Sequence, residues 1–151
     1  MSINRYAIVL AAGLLALSLT NANAAQGETV TLRVQGVLAT GSMKATPDLA
    51  PTLKPYAGFL KRFPYGKYED IGSGSGVLKT GQPTVIKIGS HSIVATLVGV
   101  NKGKMRIKYT VRDSKNASIG SNAMALSPGT PAVIQVGDPA FPIILIFQTT
   151  R

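Results

Sequence analysis

The sequence predicts a mainly β protein with one short helix, an α+β chain that folds as an antiparallel sandwich or open barrel. Three observations predict this class. Apolar and polar residues alternate with the period of a strand in several segments. Turns rich in Gly, Asn, Ser and Pro separate these segments at short intervals. Apolar residues at helical spacings of three and four occur in one short segment between Leu53 and Phe63.

The first 24 residues have the three parts of a secretory signal peptide. Arg5 is the only charge ahead of an apolar run from Tyr6 to Leu19, and small residues end at Ala24. The run has about 14 residues, whereas a retained membrane-spanning anchor would need roughly 20. We therefore predict cleavage after Ala24, a single β-rich domain over residues 25–151, and a periplasmic or extracellular mature protein.

The composition of the mature chain indicates its surroundings. It has no Cys, so an apolar core must stabilise the fold without disulfides, which is typical of a bacterial envelope protein. Removing Arg5 leaves 15 basic residues against 6 acidic ones, a formal charge of about +9. This balance favours polyanionic neighbours. The apolar run Phe141 to Phe147 is too short to span a membrane, so no transmembrane segment is expected in the mature chain.

The strands follow from alternation and from the turns between them. Strands are predicted at 28–38, 68–79, 84–88, 91–100, 104–112, 119–126, 132–136 and 141–149. Gly72, Gly74 and Gly76 loosen the second of these strands and indicate a bulge or close packing. They do not form a phosphate loop, because the required Lys-Ser/Thr ending and the following helix are missing.

The helix follows a predicted loop at 40–51. Its apolar face would contain Leu53 and Leu60, and Thr52 is expected to cap its N-terminus. Pro55 would then lie in the first turn, where its missing N–H has no cost, and Pro64 would end the helix.

The strand 104–112 is the strongest candidate binding feature. Alternation places its cations on one face over about 27 Å and its apolar residues on the other. With the preceding turn, the predicted anion-binding residues are Lys102, Lys104, Arg106, Lys108 and Arg112. Such a row would meet phosphates or carboxylates arranged along a line, without reading sequence. The alternative is a solvated sheet face whose lysines discourage edge-to-edge pairing.

A second basic cluster surrounds the helix. It consists of Lys54, Lys61, Arg62 and Lys67. Aromatic residues between these cations could stack on single-stranded nucleic acid. Because the aromatics fall on the apolar helical face, core packing under extended lysine side chains is the preferred interpretation, and nucleic acid is not the expected partner.

The residues for catalysis or metal binding are sparse. His91 is the only histidine, beside Ser90, with no Cys and six scattered acids to complete a metal site or a triad. Glu69 and Asp70 are adjacent, so a strand would point them to opposite faces and they would not form a catalytic pair of carboxylates. Their expected role is to balance the charge of the nearby Lys67. The sequence therefore predicts no enzyme, no catalytic residues, no cofactor and no metal.

The order of elements resembles small exported β-rich proteins of Gram-negative bacteria, a group without an assigned activity. The resemblance covers most of the mature chain and is carried by a few turns and aromatic residues. These are Pro47-Asp48, the aromatics Phe63, Tyr65 and Tyr68, the turn Gly81-Gln82, and the turn Leu126-Ser127-Pro128-Gly129. Gly137-Asp138-Pro139 departs from the Gly-Gly-Pro turn expected before the last strand. The resemblance implies no functional residue.

These observations predict a non-enzymatic binding or assembly module of the bacterial envelope. Its partner would be an envelope protein or an anionic envelope polymer. The alternative is a structural or adaptor subunit that pairs through a strand edge, for which Phe141 to Phe147, with Pro142 near its start, is the candidate. A hydrolase is the third hypothesis, and it would require His91 to lie beside a Ser or Asp in a cleft.

Overall fold

The computed structural model describes residues 28–150, so the predicted signal peptide and its cleavage site after Ala24 lie outside the described residues. A 3-10 turn, Pro51–Tyr56, continues directly into α1, Ala57–Leu60, and the two together are called the helical segment. The strands among residues 28–150 are β1 (Thr29–Ser42), β2 (Asp48–Leu49), β3 (Tyr65–Lys79), β4 (Pro83–Ile88), β5 (His91–Asn101), β6 (Lys104–Arg112), β7 (Ser118–Leu126), β8 (Ala132–Val136) and β9 (Ile143–Thr150).

The strands form two sheets that face each other. One sheet has five strands in the order β2-β3-β1-β9-β8, and the other has four in the order β4-β5-β6-β7. All neighbours pair antiparallel except β2 and β3, which run parallel over two residues. The predicted class, a mainly β sandwich with one short helix, is confirmed.

The main core lies between the sheets and follows from strand alternation. Val30, Leu32 and Val34 of β1 point into it, as do Ile107 of β6 and Phe147 of β9. Each of these side chains is at most 2% exposed. Burying an aliphatic or aromatic side chain of this size contributes about 1.5–3 kcal/mol. With no cysteine in the chain, this burial is the main source of stability.

The outer face of the five-stranded sheet is covered by the helical segment. Leu53 and Leu60 of that segment are fully buried against Val37 and Ile144 of the sheet. Tyr68 of β3 is also buried, and its hydroxyl donates to the carbonyl of Leu60 at 2.8 Å. The helical segment therefore occupies this outer face, whereas the outer face of the four-stranded sheet carries no helix among residues 28–150.

The glycines of β3 allow a close approach of β4, as their spacing predicts. A Cβ atom added at Gly74 would lie 2.4 Å from the carbonyl oxygen of Lys87, and one added at Gly76 would lie 3.0 Å from Thr84. The predicted bulge is also present, because Gly36 pairs with Gly72 and the next residue of β1 pairs with Asp70. β4 of one sheet therefore packs against β3 of the other along one side of the sandwich.

The helix differs from the prediction at both ends. Thr52 is not its cap: the 3-10 turn follows Ala50 without any side-chain cap, and the Thr52 hydroxyl donates instead to Asp70. A capping hydroxyl accepts from a backbone N–H, whereas the hydroxyl of Thr52 donates to an ionised carboxylate. Pro55 lacks the N–H that an α-helix would bond to the carbonyl four residues earlier, which favours the 3-10 turn. The α-helical part ends four residues before Pro64.

The predicted bounds are correct for β6 and β8, whereas the strand predicted for β1 is too short. Pairing with β3 continues as far as Ser42 opposite Tyr65, so β1 extends into the predicted loop at 40–51. That loop also contains β2. β9 begins at Ile143, two residues later than predicted.

The prediction that Phe141 to Phe147 forms an exposed edge for pairing is wrong. β9 lies inside the five-stranded sheet, where β1 pairs with one side and β8 with the other. Ile143 to Phe147 are buried on both faces of the strand, which explains why the run is apolar without alternation. Pro142 lies just outside β9, and its carbonyl accepts from the N–H of Ala39.

Candidate anion-binding face

The predicted alternation of β6 is present in the structure. Lys104, Arg106 and Lys108 are exposed, whereas Met105 and Ile107 between them are fully buried in the main core. The cations therefore lie on the outer face of the four-stranded sheet. Residues two apart on one strand are about 7 Å apart, so the three cations form a straight row.

Arg112 continues the row at the far end of β6, where the next loop holds it. Its side chain is half-buried, and Nη1 donates to the carbonyl of Asn116 at 3.3 Å. The loop is shaped by Asp113, whose Oδ1 accepts from the N–H groups of Lys115 at 2.9 Å and Ala117 at 3.0 Å. Arg112 Nε is buried without a hydrogen-bond partner among the described residues. Arg112 is thus positioned by the loop, unlike the three exposed cations.

Two further lysines lie beyond the ends of β6. Lys102 is in the turn between β5 and β6 and has a positive φ of 51°, beside Gly103 at 78°. Lys115 is in the loop that follows β6, and both lysines are exposed. The structure therefore places all five predicted anion-binding residues on β6 or the turn before it.

The neighbours of the row are small and uncharged. In the register of the sheet, Arg106, Lys108 and Arg112 each lie between one residue of β5 and one of β7, whereas Lys104 pairs with Asn101 of β5 alone. The flanking residues of Arg106, Lys108 and Arg112 are Gly99, Thr96 and Ser92 on β5 and Ala125, Ala123 and Ser118 on β7. Side chains of this size leave the charged groups standing above a flat surface that an extended ligand can reach.

Lys87 belongs to the same face, and the sequence reasoning missed it. It is exposed on β4, pairs with Ser92 of β5, and Ser92 pairs with Arg112 of β6. Two strand spacings therefore separate Lys87 from Arg112, about 10 Å. The signal was available in the alternation of Lys87 with the buried Ile86 and Ile88. The outside of the four-stranded sheet thus carries a cationic face that consists of Lys87, Lys104, Arg106, Lys108 and Arg112.

One acidic residue, Asp113, lies beside the cationic face in the loop that follows Arg112, and the other acidic residues lie elsewhere. The sequence has six, and within the described range 28–150 none is in β4, β5, β6 or β7. The ion pairs between described residues are Lys44 with Asp48 at 3.0 Å and Lys67 with Glu69 at 2.6 Å, both on the side of the five-stranded sheet. The positive charge of the cationic face is therefore not neutralised by carboxylates on the same sheet.

A shallow depression of about 350 Å³ lies in the cationic face beside Lys108. Thr96, Thr110 and Ser121 contribute hydroxyl groups to it, and Val94 and Ala123 contribute apolar surface. The hydroxyl oxygens of Thr110 and Ser121 are 3.1 Å apart. The face thus contains one recess where a charged group, hydroxyls and apolar carbon atoms meet.

The second basic cluster has its aromatics packed against the protein. Tyr56, Phe63 and Tyr65 are partly buried against the cluster of apolar side chains under the helical segment. The guanidinium of Arg62 lies 5.9 Å from the ring centre of Phe59. The packing interpretation of these aromatics is therefore confirmed.

The two adjacent acids have separate roles. A hydrogen bond with Glu69 raises the pKa of Lys67, as the prediction of charge balance requires. Asp70 does not balance Lys67. Its carboxylate accepts hydrogen bonds from Thr52, from Gln35 and from the N–H of Gly72.

His91 is the first residue of β5, directly after the turn from β4. Its Nδ1 is 3.3 Å from the hydroxyl of the adjacent Ser90. Among residues 28–150, no group of three or more His, Cys, Asp or Glu side chains is placed to hold a metal ion. No helix in the described part of the chain has both the length and the apolar character to cross a membrane.

Comparisons with known proteins found no matching family model, no matching curated protein and no matching solved structure.

Proposed function

We propose that the mature protein is a non-enzymatic module of the bacterial envelope that binds an anionic polymer through the cationic face. The observation that carries the proposal is a row of cations on a sheet whose strands contain no acidic residue within the described range. The signal-like first 24 residues and the formal charge of about +9 on residues 25–151 support a periplasmic or extracellular location and a polyanionic partner.

The geometry suits an extended ligand better than a single small anion. The row from Lys104 to Arg112 covers about 27 Å, so its charges are spread along a line and not concentrated at one point. Each exposed pair with an anion contributes little, about 0–1 kcal/mol, and is screened by salt. Useful affinity therefore requires several simultaneous contacts, which a polymer supplies.

The test is retention of residues 25–151 on immobilised heparin and on lipopolysaccharide under a salt gradient. The test variant carries Arg106→Glu and Lys108→Glu, both on the cationic face. The matched control carries Lys54→Glu on the helical segment and Lys61→Glu directly after it, which are both exposed positions and change the formal charge by the same amount. The proposal expects the test variant to elute at clearly lower salt than both the wild type and the control.

Two results would overturn the proposal. Equal shifts in the two double variants would mean that retention depends only on net charge. A larger shift in the Lys54→Glu and Lys61→Glu variant would place the contact on the second basic cluster instead.

A second candidate function, an adaptor that pairs through a strand edge, is favoured by β7. β7 is the end strand of its sheet, and its nine residues include no charge and no proline, the usual protection of an exposed edge. Antiparallel pairing of β7 with β7 of a second copy would extend the four-stranded sheet through both copies.

Light scattering tests this pairing. The wild type should form dimers as its concentration rises, and Asn122→Lys on β7 should prevent dimer formation while Asn101→Lys on β5 should not. A wild type that stays monomeric at all concentrations would exclude self-pairing.

A further inference from the structure

The depression beside Lys108 contains the hydroxyl groups of Ser121 and Thr110, which have hydrogen-bond partners within the protein. Each hydroxyl carries one hydrogen. Ser121 donates to the carbonyl of Tyr109 at 3.2 Å. With that bond made, the 3.1 Å contact between the hydroxyls of Ser121 and Thr110 uses the hydrogen of Thr110. In this arrangement the two oxygens offer a ligand acceptors.

This assignment discriminates between kinds of anion. A phosphate diester or a carboxylate presents only acceptor oxygens, which Lys108 and the hydroxyl of Thr96 can complement but the lone pairs of Thr110 and Ser121 cannot. A sugar presents hydroxyl groups that donate, and its C–H groups can rest on the apolar surface of Val94 and Ala123. The ammonium group of Lys108, on the same depression, complements an acidic substituent on that sugar.

We propose that the depression binds one unit of an acidic polysaccharide, with ring hydroxyls donating to Thr110 and Ser121 and a carboxylate paired with Lys108. This inference rests on the proposed function, since it names the class of polymer that the cationic face binds. A shallow recess of about 350 Å³ on an open sheet face suits a unit within a chain, because the chain can enter and leave on both sides along the row of cations.

The test compares three anionic probes in calorimetric titrations of residues 25–151. The probes are a tetramer of galacturonic acid, linear inorganic polyphosphate of equal charge, and vesicles of phosphatidylglycerol and phosphatidylcholine. The variants are Thr110→Val and Ser121→Ala, each of which removes one hydroxyl. Thr31→Val, on the outer face of the five-stranded sheet, is the matched control.

The expected result is a loss specific to the sugar. Losing a hydrogen bond at the depression should weaken galacturonate binding about tenfold in Thr110→Val and in Ser121→Ala. Binding of polyphosphate and vesicles should stay within about twofold of the wild type, because those contacts are to the cations alone. Thr31→Val should bind all three probes like the wild type.

The outcomes separate this inference from the proposed function. If polyphosphate binds and galacturonate does not, or if the hydroxyl variants bind both probes like the wild type, the saccharide site is overturned and the polyanion face remains. If the wild type binds none of the three probes, both proposals fail. Thermal unfolding of each variant checks that the fold is retained, and two single variants keep the test decisive if one of them is unstable.

Discussion

The hydroxyl of Thr52 donates a 2.5 Å hydrogen bond to the carboxylate of Asp70, and this contact joins the helical segment to β3. The same carboxylate accepts from Gln35 Nε2 of β1 at 2.7 Å and from the N–H of Gly72 at 2.8 Å. Gln35 is only 7% exposed although it is polar. One acidic residue thus organises the place where the helical segment, β1 and the bulge of β3 meet.

Replacing Asp70 should destabilise the fold. Asp70→Ala removes three hydrogen bonds to an ionised acceptor, and we expect the free energy of unfolding to fall by about 1–2 kcal/mol. Urea denaturation followed by circular dichroism measures this loss. The control is Glu69→Ala, which removes only an exposed ion pair with Lys67 and should reduce stability much less. Equal losses in both variants would contradict the role of Asp70.

The contribution of Asp70 should depend on pH. The hydrogen bond from Thr52, helped by those from Gly72 and Gln35, lowers the pKa of Asp70 below its ordinary value of 3.8, against a smaller opposing effect of desolvation. Because the folded-state pKa is the lower one, the stabilisation is complete above the unfolded pKa and is lost as pH falls through the folded pKa. The stability difference between wild type and Asp70→Ala should therefore shrink between about pH 6 and about pH 2. A stability difference between the two proteins that stays constant over this interval would contradict the lowered pKa of Asp70.

Two glycine substitutions should have opposite effects. Gly74→Ala would place a Cβ 2.4 Å from a backbone oxygen of β4, which cannot move without displacing the strand, so we expect a loss of about 1–3 kcal/mol or more. Gly58→Ala meets no atom within 4 Å and lies in α1, where Ala is favoured over Gly, so we expect a gain of up to about 1 kcal/mol. Chemical denaturation of both variants gives the signs directly. A neutral Gly74→Ala would show that β4 does not pack closely on β3.

Lys87 should contribute to polyanion binding although it is on a different strand from the row. Lys87→Glu places a negative charge about 10 Å from Arg112 on the cationic face and should lower the salt concentration at which the protein leaves heparin. Lys61→Glu is the control, since it changes the net charge equally at a position just after the helical segment. Indistinguishable elution of the two single variants would remove Lys87 from the face.

The sequence predicts what depends on local periodicity. The bounds of β6 follow from alternation, and those of β8 follow from the turns on either side of a short apolar run. The alternation of β6 also places Lys108 and Ile107 on opposite faces. The glycines at 72, 74 and 76 indicate close packing because their lack of side chains has few other uses in a strand. These features need no knowledge of what lies on the neighbouring strand.

What the sequence does not predict depends on register and on distant contacts. Thr52 and Asp70 are 18 residues apart, so the hydroxyl that reads as a helix cap has a partner that only the folded chain supplies. Lys87 joins Arg112 only through the pairing of β4, β5 and β6. The position of β9 inside its sheet depends on its pairing with β1 and β8, which the apolar run alone does not specify.

The alternation of β6 separates the folding role of that strand from its role at the surface. Met105, Ile107 and Val111 hold the strand in place from within, and the cations on the reverse side contribute nothing to that packing. Substitutions at such solvent-facing positions usually change stability by no more than about 0.5 kcal/mol. The charges on this surface can therefore change in evolution or by design while the fold stays the same.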